Sequence, residues 1–292
     1  MSIQDWLGDK PKSEFVRDHY LRLPYSSAKT AREFCNLGSW AAINQILNAE
    51  EPDVMVVRQG EQFSGTPPTC AEQAQQLVAD GYTVLVRNAQ RHHSGLDELA
   101  NAFHEDFNAP INVHIYMTPG KTYGFGWHYD VEEVFILQTS GCKEYSLRKN
   151  TVNPWPLLET MPADLQYEQE IMPLVQCTLS AGDWLYIPSG YWHKANAISE
   201  EPAISLAIGV IAPSAIAIFD FLRERLVESL LWRQRLPPTG KASPRSEIEW
   251  DAEFRQLIEM LQADLHHVFT GEELRHAIID HFRSETRGEN PR

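Results

Sequence analysis

The sequence predicts a mainly β protein with flanking helices, its centre a sandwich or barrel rather than a parallel, doubly wound sheet. Between Ile111 and Ile211, six short strand-like runs follow one another: Ile111–Met117, Glu132–Gln138, Lys143–Leu147, Val175–Leu179, Trp184–Ile187 and Ala203–Ile211. Turn residues separate them, among them Pro119–Gly120, Ser140–Gly141, Ala181–Gly182–Asp183 and Pro188–Ser189–Gly190. Many short strands punctuated in this way are the pattern of antiparallel sandwiches and barrels. On both sides of this block the apolar spacing changes to three and four, which is helical.

Residues 1–110 form an α/β flank. Ser13–Tyr20, Ser39–Ala49, Thr69–Asp80 and Ser94–Phe107 carry helical spacing, and several open on a Ser or Thr suited to an N-cap. Val54–Val57 and Thr83–Val86 are short β-branched runs between them, expected as edge strands. No chemical motif is visible in this flank. Residues 111–212 hold the strand block, interrupted by an insert at 150–172 that is rich in proline and acidic residues. Long inserts beside sites often contact substrate.

Residues 213–292 read as a helical extension. Ser214–Arg235 puts Ile218, Phe221, Leu222, Leu226 and Leu230 on one stripe, ended by Pro237–Gly240, and Glu247–Val268 repeats the pattern. A third helix is expected over Thr270–Phe282, with Thr270 and Glu273 as a capping box. Striped helices without a compact core of their own pack on the sandwich or on a second copy, and a homodimer is expected.

Composition narrows the function. The 40 acidic and 25 basic residues leave a net charge of −15, which argues against nucleic acid and suits a basic partner or a neutral small molecule. The extension offers no basic arm, with 11 basic against 14 acidic side chains. No apolar run approaches the roughly 18 residues of a membrane span. Cys35, Cys70, Cys142 and Cys177 contain no Cys-x-x-Cys pair and read as reduced core thiols. Met1–Trp6 shows no leader pattern, so a cytoplasmic protein is expected.

The chemistry concentrates in two places. His128 and Asp130 stand two apart just before a β run, a spacing that sends both side chains to one face of an extended chain. A further 65 residues on (193 minus 128), the block Leu179–His193 reads strand, Gly-Asp turn, strand, Pro-x-Gly turn, histidine. Two histidines and one carboxylate with open positions left over match the facial triad of non-haem Fe(II) oxygenases. His92–His93 and His266–His267 have no partner cluster at ligand spacing and read as surface or packing residues.

These motifs resemble the Jumonji-C (JmjC) branch of the cupin oxygenases, and within it the ribosomal oxygenases. The resemblance is carried by Tyr116-Met-Thr-Pro-Gly120, His128-Tyr-Asp130, Glu133–Gln138, Gly141-Cys-Lys143, Gly182–His193 and Ser205–Gly209, more loosely by Phe15–Pro24 and by the helical extension. It implies a double-stranded β-helix (the cupin or jelly-roll fold) and dependence on Fe(II) and 2-oxoglutarate, with dimerisation through the C-terminal helices. It also implies Fe(II) bound by His128, Asp130 and His193, and the far carboxylate of 2-oxoglutarate bound by Lys143 and Tyr116. Asn196 and Ser205 are further candidates to reach the metal or co-substrate. His114 stands where the ribosomal oxygenases usually carry Asn and is expected in the substrate pocket. The activity implied is O₂-dependent hydroxylation of a protein or peptide side chain. Hydroxylation of a small molecule such as an amino acid, and a non-catalytic cupin-like binding protein, stay open as alternatives.

Overall fold

The computed structural model describes residues 2–162, 165, 172–236, 247–270 and 272–285. The chain divides into two compact units, with the boundary between Ala212 and Pro213. The first unit is built on eleven strands: β1 (Tyr25–Ser27), β2 (Asp53–Arg58), β3 (Glu61–Gln62), β4 (Thr83–Arg87), β5 (Ile111–Thr118), β6 (Glu133–Ser140), β7 (Cys142–Arg148), β8 (Val175–Ser180), β9 (Trp184–Ile187), β10 (Trp192–Ala197) and β11 (Ala203–Val210). They form a large sheet in the order β1-β9-β6-β11-β5-β4-β2-β3 and a small one in the order β10-β7-β8, with antiparallel pairing throughout. One further bridge, His128 with His193, continues the small sheet beyond β10. The two sheets face each other as a double-stranded β-helix, so the fold is mainly β as the strand block predicts.

Strand alternation sorts the side chains. Along β5, β6 and β11 the alternate residues Val113, Ile115, Met117, Phe135, Leu137, Leu206 and Ile208 face outward to the N-terminal helices. The intervening Val134, Ile136 and Ala207 face inward to Tyr145, Leu147 and Leu179 of the small sheet. Both faces of the central strands are therefore buried, which is why β6 and β11 read as nearly continuous apolar runs. The outer layer comprises α1 (Ile3–Leu7), α2 (Lys12–Asp18), α3 (Trp40–Leu47), α4 (Ala71–Ala79) and α5 (Ser94–Phe107). Trp6, Phe15, Phe103, Phe135 and Trp184 pack edge-to-face, tilted or, for Phe135 on Trp184, stacked, at 5.2–6.2 Å. Each such fully buried ring stabilises the fold by roughly 1.5–3 kcal/mol. Trp184 Nε1 donates to Trp6 O and Thr30 Oγ1, so its polar edge is satisfied.

The N-terminal flank does more than supply edges. β4 is interior, between β5 and β2, while β1 covers the opposite margin at β9. The sequence pattern misses β1 and α1, both too short to show a period. Among the described residues of the insert, 150–162, 165 and 172, there is a short 3₁₀ turn at Leu158–Thr160.

The second unit comprises α6 (Ala217–Leu226), α7 (Glu247–Thr270) and α8 (Glu272–Glu285). The helix expected over Ser214–Arg235 stops at Leu226 and gives way to turns, and its expected end at Pro237–Gly240 lies outside the described residues. The expected Thr270 cap is corrected too: its hydroxyl donates back to the carbonyls of His266 and His267, so it closes α7 instead of opening α8. This unit also has a small cluster of its own, in which Phe221, Leu222 and Leu274 are buried. Among the described residues no helix is long and apolar enough to cross a membrane.

Candidate active site

His128, Asp130 and His193 converge, with one ligand atom from each lying within 4.8 Å of the others. The first two come from irregular extended backbone, not from a strand as their spacing suggests: β6 begins only at Glu133. They are placed by tertiary pairing. His128 and His193 exchange both backbone hydrogen bonds, at 3.1 and 2.7 Å, and Gly190 N donates to Asp130 O at 2.9 Å. Gly190 has a positive φ of 77° and lies so close to Pro154 O that a side chain would collide with it, so the turn before His193 requires glycine.

Second partners set the tautomers. His128 Nδ1–H donates to Gly126 O at 2.9 Å, and His193 Nδ1–H donates to Tyr191 O at 3.0 Å. Carbonyls only accept, so each ring carries its proton on Nδ1 and offers a bare Nε2. Burial and the neighbouring His128 push the His193 pKa down, which keeps it neutral. The donor set is two imidazoles and one carboxylate, with Asp130 Oδ2 at 3.4 Å from His193 Nε2. This set fits a divalent first-row metal such as Fe(II).

Beside the triad lies a cavity of about 570 Å³, including its open mouth, lined by residues of both sheets. Lys143 on β7 projects into it and is 3% exposed. Burial alone pushes its pKa from 10.5 down to about 7. Its ammonium donates to Ser205 Oγ at 2.9 Å and sits 5.7 Å from the Tyr116 ring centroid. Among the described residues it makes no ion pair. Ser205 and Tyr116 are direct cross-strand partners on β11 and β5 of the large sheet, and the Lys143–Ser205 bond joins the small sheet to it at this point. A buried cation without a counter-charge is costly, and an anion entering the cavity would offset that cost.

Two candidate site residues do not line this cavity. Asn196 is not on the cavity wall. The inward row of β10 is His193, Ala195 and Ala197, facing Leu147, Tyr145 and Lys143 of β7, whereas Asn196 pairs with Glu144 on the outer face. His114 is likewise absent from the wall: its Nδ1 accepts the Asn88 N–H at 3.1 Å, and burial lowers its pKa.

Other wall residues went unread in the sequence. Tyr145 follows Lys143 by two on the same strand face, and that alternation was the available signal. Phe125 sits 6.1 Å from Tyr116 and 6.0 Å from His128, ring to ring, on a loop without periodic pattern. Thr83 reaches the cavity from β4, in the flank that shows no motif. Outside the cavity lining, Glu132, held by Asn112 Nδ2 at 2.9 Å, fills space left by Gly209, where a Cβ would meet its carboxylate.

The model of the JmjC domain matches residues 86–218, which include the triad and every residue of the cavity lining except Thr83. Those residues are a JmjC domain. Among similar proteins, the bifunctional lysine-specific demethylase and histidyl-hydroxylase NO66 of Dictyostelium discoideum is 33% identical over 133 residues, 44% of this chain and 25% of its own. NO66 of Drosophila yakuba is 26% identical over 167 residues, 55% of this chain and 24% of its own. The chain thus spans about a quarter of the length of these relatives. Among solved structures, the Escherichia coli ribosomal oxygenase YcfD in complex with cobalt and 2-oxoglutarate aligns with a TM-score of 0.59 at 18% identity, covering 94% of this chain and 71% of YcfD. A second crystal structure of YcfD aligns at 0.57 and 17%, covering 91% and 68%. At that identity the likeness establishes the fold, and the JmjC domain here has the fold of the ribosomal oxygenases.

Proposed function

We propose that this JmjC domain is an Fe(II)- and 2-oxoglutarate-dependent oxygenase that hydroxylates a side chain of a protein or peptide. The observation that carries the reading is Lys143, a buried ammonium without a counter-charge among the described residues, in the same cavity as a triad of two imidazoles and a carboxylate. His128, Asp130 and His193 would hold the iron. Bound iron supplies the redox chemistry that divides O₂ between 2-oxoglutarate, released as succinate and CO₂, and a substrate C–H, which becomes C–OH.

The chain's own residues do the positioning. Lys143 pairs with the far carboxylate of the co-substrate, and Ser205 orients the ammonium by accepting one of its hydrogen bonds. Tyr116 offers its hydroxyl to the same carboxylate; burial raises its pKa, so it remains a donor at working pH. Val134, Ile136 and Ala207 line the cavity and keep water from competing for these charges. Such fixed pairing converts part of the activation entropy into binding.

A protein substrate is favoured by the relatives, NO66 being named for histidyl hydroxylation and YcfD for the ribosome. The net charge of −15 suits the basic proteins of a ribosome. We further place the enzyme in the cytoplasm, on four free cysteines that suit a reducing compartment. We also propose that it is a homodimer, because Phe219 and Leu230 are exposed on the second unit. The test is succinate release from 2-oxoglutarate under air with Fe(II), together with a mass gain of one oxygen on extracted ribosomal proteins. Unchanged succinate release in His128→Ala would overturn the enzyme reading. Succinate release with no mass gain on any protein would move the substrate to a small molecule.

A further inference from the structure

The described part of the insert presents an apolar surface to solvent beside the metal triad. Val152, Trp155 and Leu158 are 74%, 82% and 76% exposed. Exposed tryptophan flanked by aliphatic residues is uncommon on a protein surface unless something binds it.

The segment is anchored at its base, not loose. The buried Asn150 side chain accepts the N–H groups of Val152 and Asn153 at 3.0 and 2.8 Å. Asn153 Nδ2 donates to Tyr129 Oη at 3.3 Å, and Tyr129 lies between two triad residues. Pro154 packs on Gly190, whose N–H holds Asp130 O. Prolines on both sides of Trp155 restrict it further, since Pro156 biases the residue before it toward extended backbone. Trp155 is thus displayed on a stiff arm fastened to the two backbone segments that carry the triad, two residues from a direct contact with one of them.

We propose that Val152, Trp155 and Leu158 form a docking platform for an extended segment of a polypeptide substrate, which places an apolar side chain on Trp155 a few residues from the one that enters the cavity. The inference rests on the hydroxylase reading above and names how its substrate is recognised. A stiff arm lowers the ordering cost of binding, which a lid closing over a small molecule would not require. A small substrate would be held inside the cavity and have no use for an outward-facing tryptophan. The net charge of −15, with Glu159 exposed next to Leu158, selects a basic chain and repels anionic lipid and nucleic acid.

The test uses the full chain with Fe(II), ascorbate and 2-oxoglutarate, and protein extracted from ribosomes of the source organism as the probe. Wild type is compared with Trp155→Phe and with the double variant Trp155→Ala/Leu158→Ser. We expect the double variant to lose roughly tenfold or more in kcat/KM for the hydroxylated protein, all of it in KM, as for a central tryptophan anchor. Succinate formed without protein substrate stays at the wild-type rate, and Trp155→Phe recovers most of the loss. Equal kcat/KM in wild type and double variant overturns the platform. So does a drop in mass by light scattering in the double variant, which would make a second copy of the chain the occupant. If wild type forms succinate but adds oxygen to no protein, the platform and the polypeptide substrate fall together. If wild type forms no succinate, the hydroxylase reading itself has failed.

Discussion

Replacing Lys143 by Met separates two effects that the buried ammonium produces. In the folded protein burial lowers its pKa from 10.5 to about 7, which corresponds to about 5 kcal/mol against carrying charge there. Because the folded state binds this proton less tightly than the unfolded state, the cost is fully present below about pH 7 and fades as pH rises toward 10.5. Stability of the protein without co-substrate therefore climbs with pH across that window. Lys143→Met keeps the stem, removes the charge and abolishes that climb, so the variant unfolds at higher temperature than wild type at pH 7. Binding responds in the opposite direction. A buried carboxylate that loses its ammonium partner costs about 2–4 kcal/mol, so affinity for 2-oxoglutarate falls roughly 30- to 1,000-fold. The assays are thermal unfolding between pH 6 and 10 in chelator, and calorimetric titration of 2-oxoglutarate into Mn(II)-loaded protein. Wild-type affinity in Lys143→Met would refute the assignment of this side chain to the co-substrate, and so would an equal loss of affinity for the metal.

Ser205→Ala removes the hydroxyl that orients the ammonium, and 2-oxoglutarate affinity should fall about threefold to tenfold with metal affinity intact, read by the same titration. His128→Ala should eliminate succinate release and weaken Mn(II) binding, followed by electron paramagnetic resonance. Gly190→Ala sets a Cβ against Pro154 O in a positive-φ turn, and should lower stability by about 1–3 kcal/mol in denaturant unfolding. Tyr186→Phe takes the hydroxyl from the buried Glu133 carboxylate and from the Leu21 N–H. It should cost about 1–3 kcal/mol, measured in the same way.

Local sequence carried the strand block because each strand is short, β-rich and closed by Gly, Pro or Asn turns, signals that act over a few residues. It carried the two halves of the triad as well, through the two-residue step from His128 to Asp130 and the turn chemistry before His193. It left the surroundings of Asn196 and His114 undecided. Asn196 alternates away from the cavity on β10, whereas His114 shares the face of Tyr116 on β5 and its ring takes the Asn88 N–H, a partner that only the fold supplies. Thr270 failed for a similar reason, since a hydroxyl near a helix boundary bonds forward or backward according to where the helices break.

The chain's own residues determined a mainly β core, an acidic surface, two imidazoles and a carboxylate of triad type, and a lysine in step with them. Tertiary structure decided that these groups meet. The backbone exchange between His128 and His193 joins segments 65 residues apart (193 minus 128), and both rings are turned to offer Nε2 by carbonyls that only the folded chain supplies. It also decided that Lys143 stands buried against Ser205, without a counter-charge among the described residues. Burial and partner identity are properties of packing between distant segments, and spacing along a chain does not encode them locally.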